Sequence, residues 1–250
     1  MKKKIVSAIL ATALVASSLT GCSFMGLGNS SQIEGSKKSD KELVTEATES
    51  VLKDCQNADY DAILKDIDSS AKNDFKNFNM ETADKAFYAS LGAGAEAYVG
   101  DDIKTKVTNL WKKFQKDMIK SYKVKKVTIK DKAAVVDYDV KYAFTDKELV
   151  SVVTDKTVIN EFKEECEKYG TDHAAEVQQI YLTEGETGLY KKIYNDLLPN
   201  YIEKVSNKYD DSKSGFKGDS YIYRFKLKIK KNKWVVTSLK SNETSKMKSK

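Results

Sequence analysis

The chain has 250 residues, 40% of them hydrophobic and 32% charged, with a formal net charge of +6. That length and apolar content support a sizeable core in one large or two small domains and exclude wholesale disorder. Residues 1–21 contribute +3, residues 23–38 contribute +1 and residues 238–250 contribute +3, which leaves −1 for residues 39–237. A near-neutral body whose one arginine is Arg224 argues against nucleic acid as a partner, since phosphate recognition calls for a basic stripe on the folded part.

Lys2, Lys3 and Lys4 precede an uncharged, mostly apolar run through Ala16 and then Leu19-Thr20-Gly21-Cys22. A short cationic stretch, about a dozen apolar residues and small residues before a cut site form a secretory signal, too short for a mature membrane span. The four residues 19–22 resemble the lipobox of bacterial lipoproteins. The resemblance implies that the Cys22 thiol takes a diacylglycerol and that cleavage before it leaves a mature chain of 229 residues. Two acyl chains suffice for stable anchoring, so the implied location is the outer face of the bacterial cytoplasmic membrane. Residues 22–38, rich in Gly, Ser and Asn, read as a tether spanning roughly 20 Å.

The body is expected over residues 39–240. Leu43, Val44, Ala47, Val51 and Leu52 fall on one face of a helix over 40–56, capped by Ser39 or Asp40. Tyr60, Ile63, Leu64 and Ile67 begin a second, shorter helix. Residues 73–104 show no clear period; Gly92 and Gly94 fit a loop or a small-residue helical contact, because no phosphate-loop pattern surrounds them. Val107, Leu110, Trp111, Phe114 and Met118 form the apolar face of a lysine-rich helix over 104–120, which reads as a core-packing element.

The period then changes to two. Residues 122–129 alternate with a slip near Lys125 that implies a bulge, Asp131-Lys132 makes a turn, and residues 134–144 alternate again. Val136, Tyr138 and Val140 share one face, while Asp137 and Asp139 point to the other and are expected in solvent. Residues 146–206 return to helix, with a kink or break expected at about Leu198, while the apolar face continues, because Pro199 removes a backbone donor. His173 is expected at a surface or capping position. Residues 207–219 read as a loop. A second hairpin runs from Tyr221 to Ile229 and, after Lys231-Asn232, from Trp234 to Thr237. A disordered basic tail is expected over 241–250, beginning near Lys240.

The order of helices, hairpin, helices, hairpin defines an α+β fold: an antiparallel sheet of about four strands packed by amphipathic helices. Asp137 and Asp139 complement Arg224, Lys226 and Lys228 as cross-strand charge pairs. With Asp59-Tyr60-Asp61-Ala62, the hairpin Val127-Thr128-Ile129 to Ala134-Val135-Val136-Asp137 and the closing Lys233-Trp234-Val235-Val236, the body resembles cystatin-like lipoproteins of low-GC Gram-positive bacteria. The resemblance implies the cone shared by nuclear transport factor two and ketosteroid isomerase. Because 200 residues exceed one cone, two units divided near Phe144 and Thr145 are the alternative.

Enzymes of that superfamily hold a carboxylate and a tyrosine inside the cone. Here Tyr138, Tyr142, Tyr221 and Tyr223 lie on the apolar face, as core residues or as the lining of a ligand pocket. Cys55 and Cys166 remain open as a disulfide or as two buried thiols. One histidine makes a metal site improbable, and no nucleophile motif or cofactor-binding motif appears. The expected function is a lipid-anchored extracytoplasmic binding or interaction domain whose partner is a protein, a wall polymer or a small apolar ligand. The alternative is an isomerase-like enzyme with a tyrosine-lined cavity. A solute-binding lipoprotein is disfavoured, because strands and helices do not alternate across two lobes.

Overall fold

The computed structural model describes residues 38–91 and 94–243. The expected signal segment, Cys22 and residues 23–37 of the expected tether lie outside the described residues, as do residues 244–250. Seven α-helices and one four-stranded antiparallel sheet make up the described chain, an α+β fold. Packing divides it into two compact units: a helical unit of Met80–Lys112 and Thr145–Phe216, and a sheet unit of residues 38–79, Lys113–Phe144 and 217–243. One boundary falls between Phe144 and Thr145, but the units interleave along the chain instead of following one another.

In the sheet unit, α1 (Asp40–Asn57) starts at Ser39 with a capping box: the Ser39 hydroxyl accepts from the Glu42 N–H, and the Glu42 carboxylate accepts from the Ser39 N–H at 2.8 Å. Its buried side chains are Val44, Thr48, Val51, Leu52 and Cys55, the stripe that a period of 3.6 produces. After α2 (Tyr60–Asp66), capped by Asp59, a 3-10 segment (Ser69–Phe78) adds Ala71, Phe75 and Phe78 to the core.

The strands β1 (Ile119–Lys130), β2 (Ala133–Tyr142), β3 (Ser220–Lys230) and β4 (Lys233–Glu243) lie in the order β1-β2-β3-β4. The expected bulge falls between Val124 and Lys126. Lys231 and Asn232 both take positive φ, 48° and 58°, the backbone twist a two-residue hairpin turn requires. Residues 240–243, expected as the start of a loose tail, are strand: Lys240 stands opposite Arg224 and Ser241 opposite Tyr223. Backbone pairing to β3, not side-chain polarity, decides their state. The β4 edge is covered by the 3-10 segment, whose Asp74 carboxylate accepts from the Leu239 N–H at 3.0 Å and the Ser238 hydroxyl at 2.9 Å.

In the helical unit, residues 80–98 form α3 (Met80–Leu91) and a 3-10 turn (Ala95–Tyr98). The next helix, α4 (Asp101–Met118), begins in this unit and ends in the sheet unit. Then follow α5 (Asp146–Val153), α6 (Lys156–Asp172) and α7 (Ala174–Ser212), so the expected loop at 207 begins only after Ser212. The expected break at Leu198 is corrected. Helical backbone persists through Pro199, where buried Leu197, Leu198, Tyr201 and Ile202 keep the helix in place, and the non-helical residue is Gly185 at φ 69°, ψ −160°. The departure at Gly185 is large. Glu176 and Lys192 would stand about 24 Å apart on a straight helix, yet they form an ion pair at 3.0 Å, so the chain folds back on itself at Gly185.

Candidate functional site

Alternation along β2 and β3 places Tyr138 opposite Tyr223 and Val140 opposite Tyr221 on the apolar face. This is where the sequence put them, and Tyr138 and Tyr223 are packed inside the core. Tyr138 is 0% exposed and Tyr223 3%, so neither ring offers surface to a ligand unless the core repacks. The Thr48 hydroxyl donates to the Val44 carbonyl, which leaves its lone pair for the Tyr138 hydroxyl at 2.7 Å. The Tyr142 and Tyr223 hydroxyls hydrogen-bond to each other, and the half-buried Tyr142 and Tyr221 rings touch at 4.6 Å between centroids. Burial pushes the Tyr138 phenol up to about 12 and lifts that of Tyr223 well above the ordinary range. Both stay protonated in neutral solution.

Asp137 corrects another expectation. It does lie on the face opposite Tyr138, but it is 7% exposed, not solvated. Directly across on β3, Arg224 donates from Nε and one Nη to its two carboxylate oxygens at 2.7 and 2.8 Å. The planar guanidinium replaces the water the carboxylate loses. Asp139, two residues on, is exposed and pairs with Lys125 at 3.1 Å. Among the described residues Asp137 is the one carboxylate classed as buried, and both its oxygens are occupied.

Cys55 and Cys166 are free thiols in the described structure. Cys55 belongs to the core of the sheet unit and Cys166 to the buried stripe of α6. Burial pushes the Cys166 thiol up to about 11 and that of Cys55 higher still, so neither is a nucleophile at neutral pH.

Two polar clusters of the helical unit were not anticipated. His173 stands at the N-terminal boundary of α7 without a side-chain capping bond, and its Nδ1 lies 3.0 Å from Glu176. Lys192 bridges Glu176 and Asp196 at 3.0 and 2.9 Å, and the Tyr169 hydroxyl donates to Asp196 at 2.5 Å. The hydrogen bonds from Lys192 and His173 hold the Glu176 carboxyl below its usual range. Burial opposes the charge of Asp196, yet the bonds from Tyr169 and Lys192 lower its carboxyl too. Glu176, Asp196, Lys192 and Tyr169 are each held in their ordinary charge state, which makes this a clasp across the fold at Gly185 and not a poised acid and base. In the second cluster, Thr108 donates to one Asp84 oxygen at 2.6 Å, while the other Asp84 oxygen and the Tyr88 hydroxyl are buried without a partner. Burial raises the Asp84 carboxyl. Asp84 and Tyr88 are four apart on α3, a pairing the missing period over 73–104 concealed.

The near-neutral total of residues 39–237 hides a segregation of charge. Residues 39–79 carry five lysines and ten carboxylates, whereas the two hairpins, 119–142 and 220–243, carry fourteen cations and four acids. Register places Lys123, Lys126, Arg224, Lys226 and Lys228 on the sheet face opposite α1. Alternation had already marked Arg224, Lys226 and Lys228, and register adds Lys123 and Lys126 to them. Among the described residues no group of His, Cys, Asp and Glu could hold a metal ion. Compared with known proteins, the chain matches no family model, no curated protein and no solved structure.

Proposed function

We propose that this chain is a lipid-anchored domain on the outer face of a bacterial cytoplasmic membrane, where it serves as a binding or interaction module and not as an enzyme. The observation that carries the reading is Leu19-Thr20-Gly21-Cys22 behind three lysines and an apolar run. Diacylglycerol on Cys22 would supply an anchor. Among the described residues no helix is long and apolar enough to cross a membrane.

The non-catalytic part of the reading is supported by where the candidate residues stand. The Tyr138 and Tyr223 hydroxyls are partnered inside the core, and the buried carboxylate of Asp137 faces away from them with both oxygens on Arg224. An isomerase-like site needs a desolvated carboxylate beside the tyrosine. A cystatin-like cone belongs to the same proposal, supported by one long helix, α1, on the apolar face of a four-stranded antiparallel meander.

The test is Cys22→Ala in cells that process lipoproteins, followed by detergent phase separation. The parent chain is expected in the detergent phase and the variant out of it; identical partition of both would overturn the anchor.

A further inference from the structure

We propose that the lysine-rich face of the sheet, together with the two hairpin turns at its end, lies against an anionic lipid bilayer. The inference rests on the anchored reading for its occupant, but its evidence is separate. On the face opposite α1, the side chains of Lys123, Lys126, Arg224 and Lys228 are exposed. Asp137 neutralises Arg224 and Asp139 neutralises Lys125, which leaves Lys123, Lys126, Lys226 and Lys228 as the excess positive charge of this face.

The turns extend this face to one end. Ile229 N–H donates to the Lys132 carbonyl at 3.1 Å, so the turn at Asp131-Lys132 and the turn at Lys231-Asn232 are neighbours. Lys130, Lys132, Lys230, Lys231 and Lys233 flank them, with Lys230 paired to Asp68. The chain enters at this same end. Trp234 Nε1, at the start of β4, donates to the Asp40 carboxylate at 3.2 Å, fixing the first turn of α1 beside the second hairpin turn. Sixteen residues separate Cys22 from Ser39, a stretch whose composition corresponds to a span of roughly 20 Å. An anchor at Cys22 therefore delivers the basic end of the sheet to the headgroups.

Charge complementarity selects the occupant. Lysines are compact point charges that sum their attraction over a charged plane within a Debye length. Readout of single phosphates on a polymer favours arginine forks, and the one arginine on this face is already engaged by Asp137.

The full chain, processed by a bacterial host, is placed in phosphatidylcholine vesicles with or without about 30% phosphatidylglycerol. Acetylation rates of individual lysines are then read by mass spectrometry. With phosphatidylglycerol, rates at Lys123, Lys126 and Lys228 are expected to fall about fivefold or more and to recover in about 0.5 M salt, while Lys53 on α1 and Lys72 on the 3-10 segment stay unchanged. Equal rates in both vesicles would overturn the proposal, as would protection by soluble polyphosphate where vesicles give none. Failure of the anchor shows separately, as an unacylated Cys22. If that chain still binds phosphatidylglycerol vesicles with the same protected lysines, the basic face stands and only the anchor falls.

Discussion

Asp137 and Arg224 stand opposite each other on the two central strands, joined by two hydrogen bonds at 2.7 and 2.8 Å, with side chains 9% and 51% exposed. The asymmetry sets the order of costs. Removing the guanidinium leaves a carboxylate that water barely reaches, whereas removing the carboxylate charge leaves an arginine that water already solvates. Arg224→Ala is expected to cost about 2 kcal/mol and Asp137→Asn about 1 kcal/mol or less. Urea unfolding at neutral pH measures both, and equal losses would contradict the pairing geometry.

Tyr138 connects the sheet to α1 through Thr48. Tyr138→Phe keeps the ring and loses this bond and the longer one to the Thr45 carbonyl, an expected cost of about 1 kcal/mol. Because burial raises this phenol in the folded state to about 12, the folded chain holds the proton more tightly than the unfolded one. The associated stability is fully present below the ordinary tyrosine value of about 10 and is lost as pH rises towards about 12. Absorbance at the phenolate band should therefore show ionisation of Tyr138 together with unfolding, and Tyr138→Phe should weaken that alkaline step.

Asp84 has the opposite consequence at neutral pH. Its carboxyl is raised by burial, so the stability tied to its proton is present below about 4 and lost as pH rises. Asp84→Asn is expected to raise the melting temperature at pH 7, with the difference shrinking as the solution is brought below pH 4. A variant less stable than the parent at pH 7 would show that the charge, and not the shape, is what Thr108 holds.

The thiols offer a test of two statements at once. Cys55 and Cys166 are buried and free, so a thiol reagent should leave both unreacted in the native chain. In denaturant without reductant, two thiols are expected to react if Cys22 is acylated. Three would indicate an unmodified Cys22, and none or one would indicate oxidation of the buried pair.

The sheet was legible because an alternating period over ten residues admits few other readings, and the slip near Lys125 and the turn at Lys231-Asn232 left local marks of their own. The Ser39 cap was legible for the same local reason. Residues 69–98 were not, since short 3-10 segments bury residues such as Ala71, Phe75 and Phe78 without repeating a helical stripe. Pro199 misled because neighbouring apolar residues outweigh one lost hydrogen bond, while Gly185 gave no cue beyond its identity. The burial of Asp137 depends on a partner 87 residues away, and the basic face depends on register between two hairpins that the sequence separates. Both are tertiary facts.

The central claim is the anchor at Cys22, and the most direct test is mass spectrometry of the N-terminal peptide of the mature protein isolated from membranes. The expected result is a chain that begins at Cys22 and carries a diacylglyceryl group on sulfur. An N-terminal peptide that retains residues 1–21, or one with an unmodified Cys22, would contradict it.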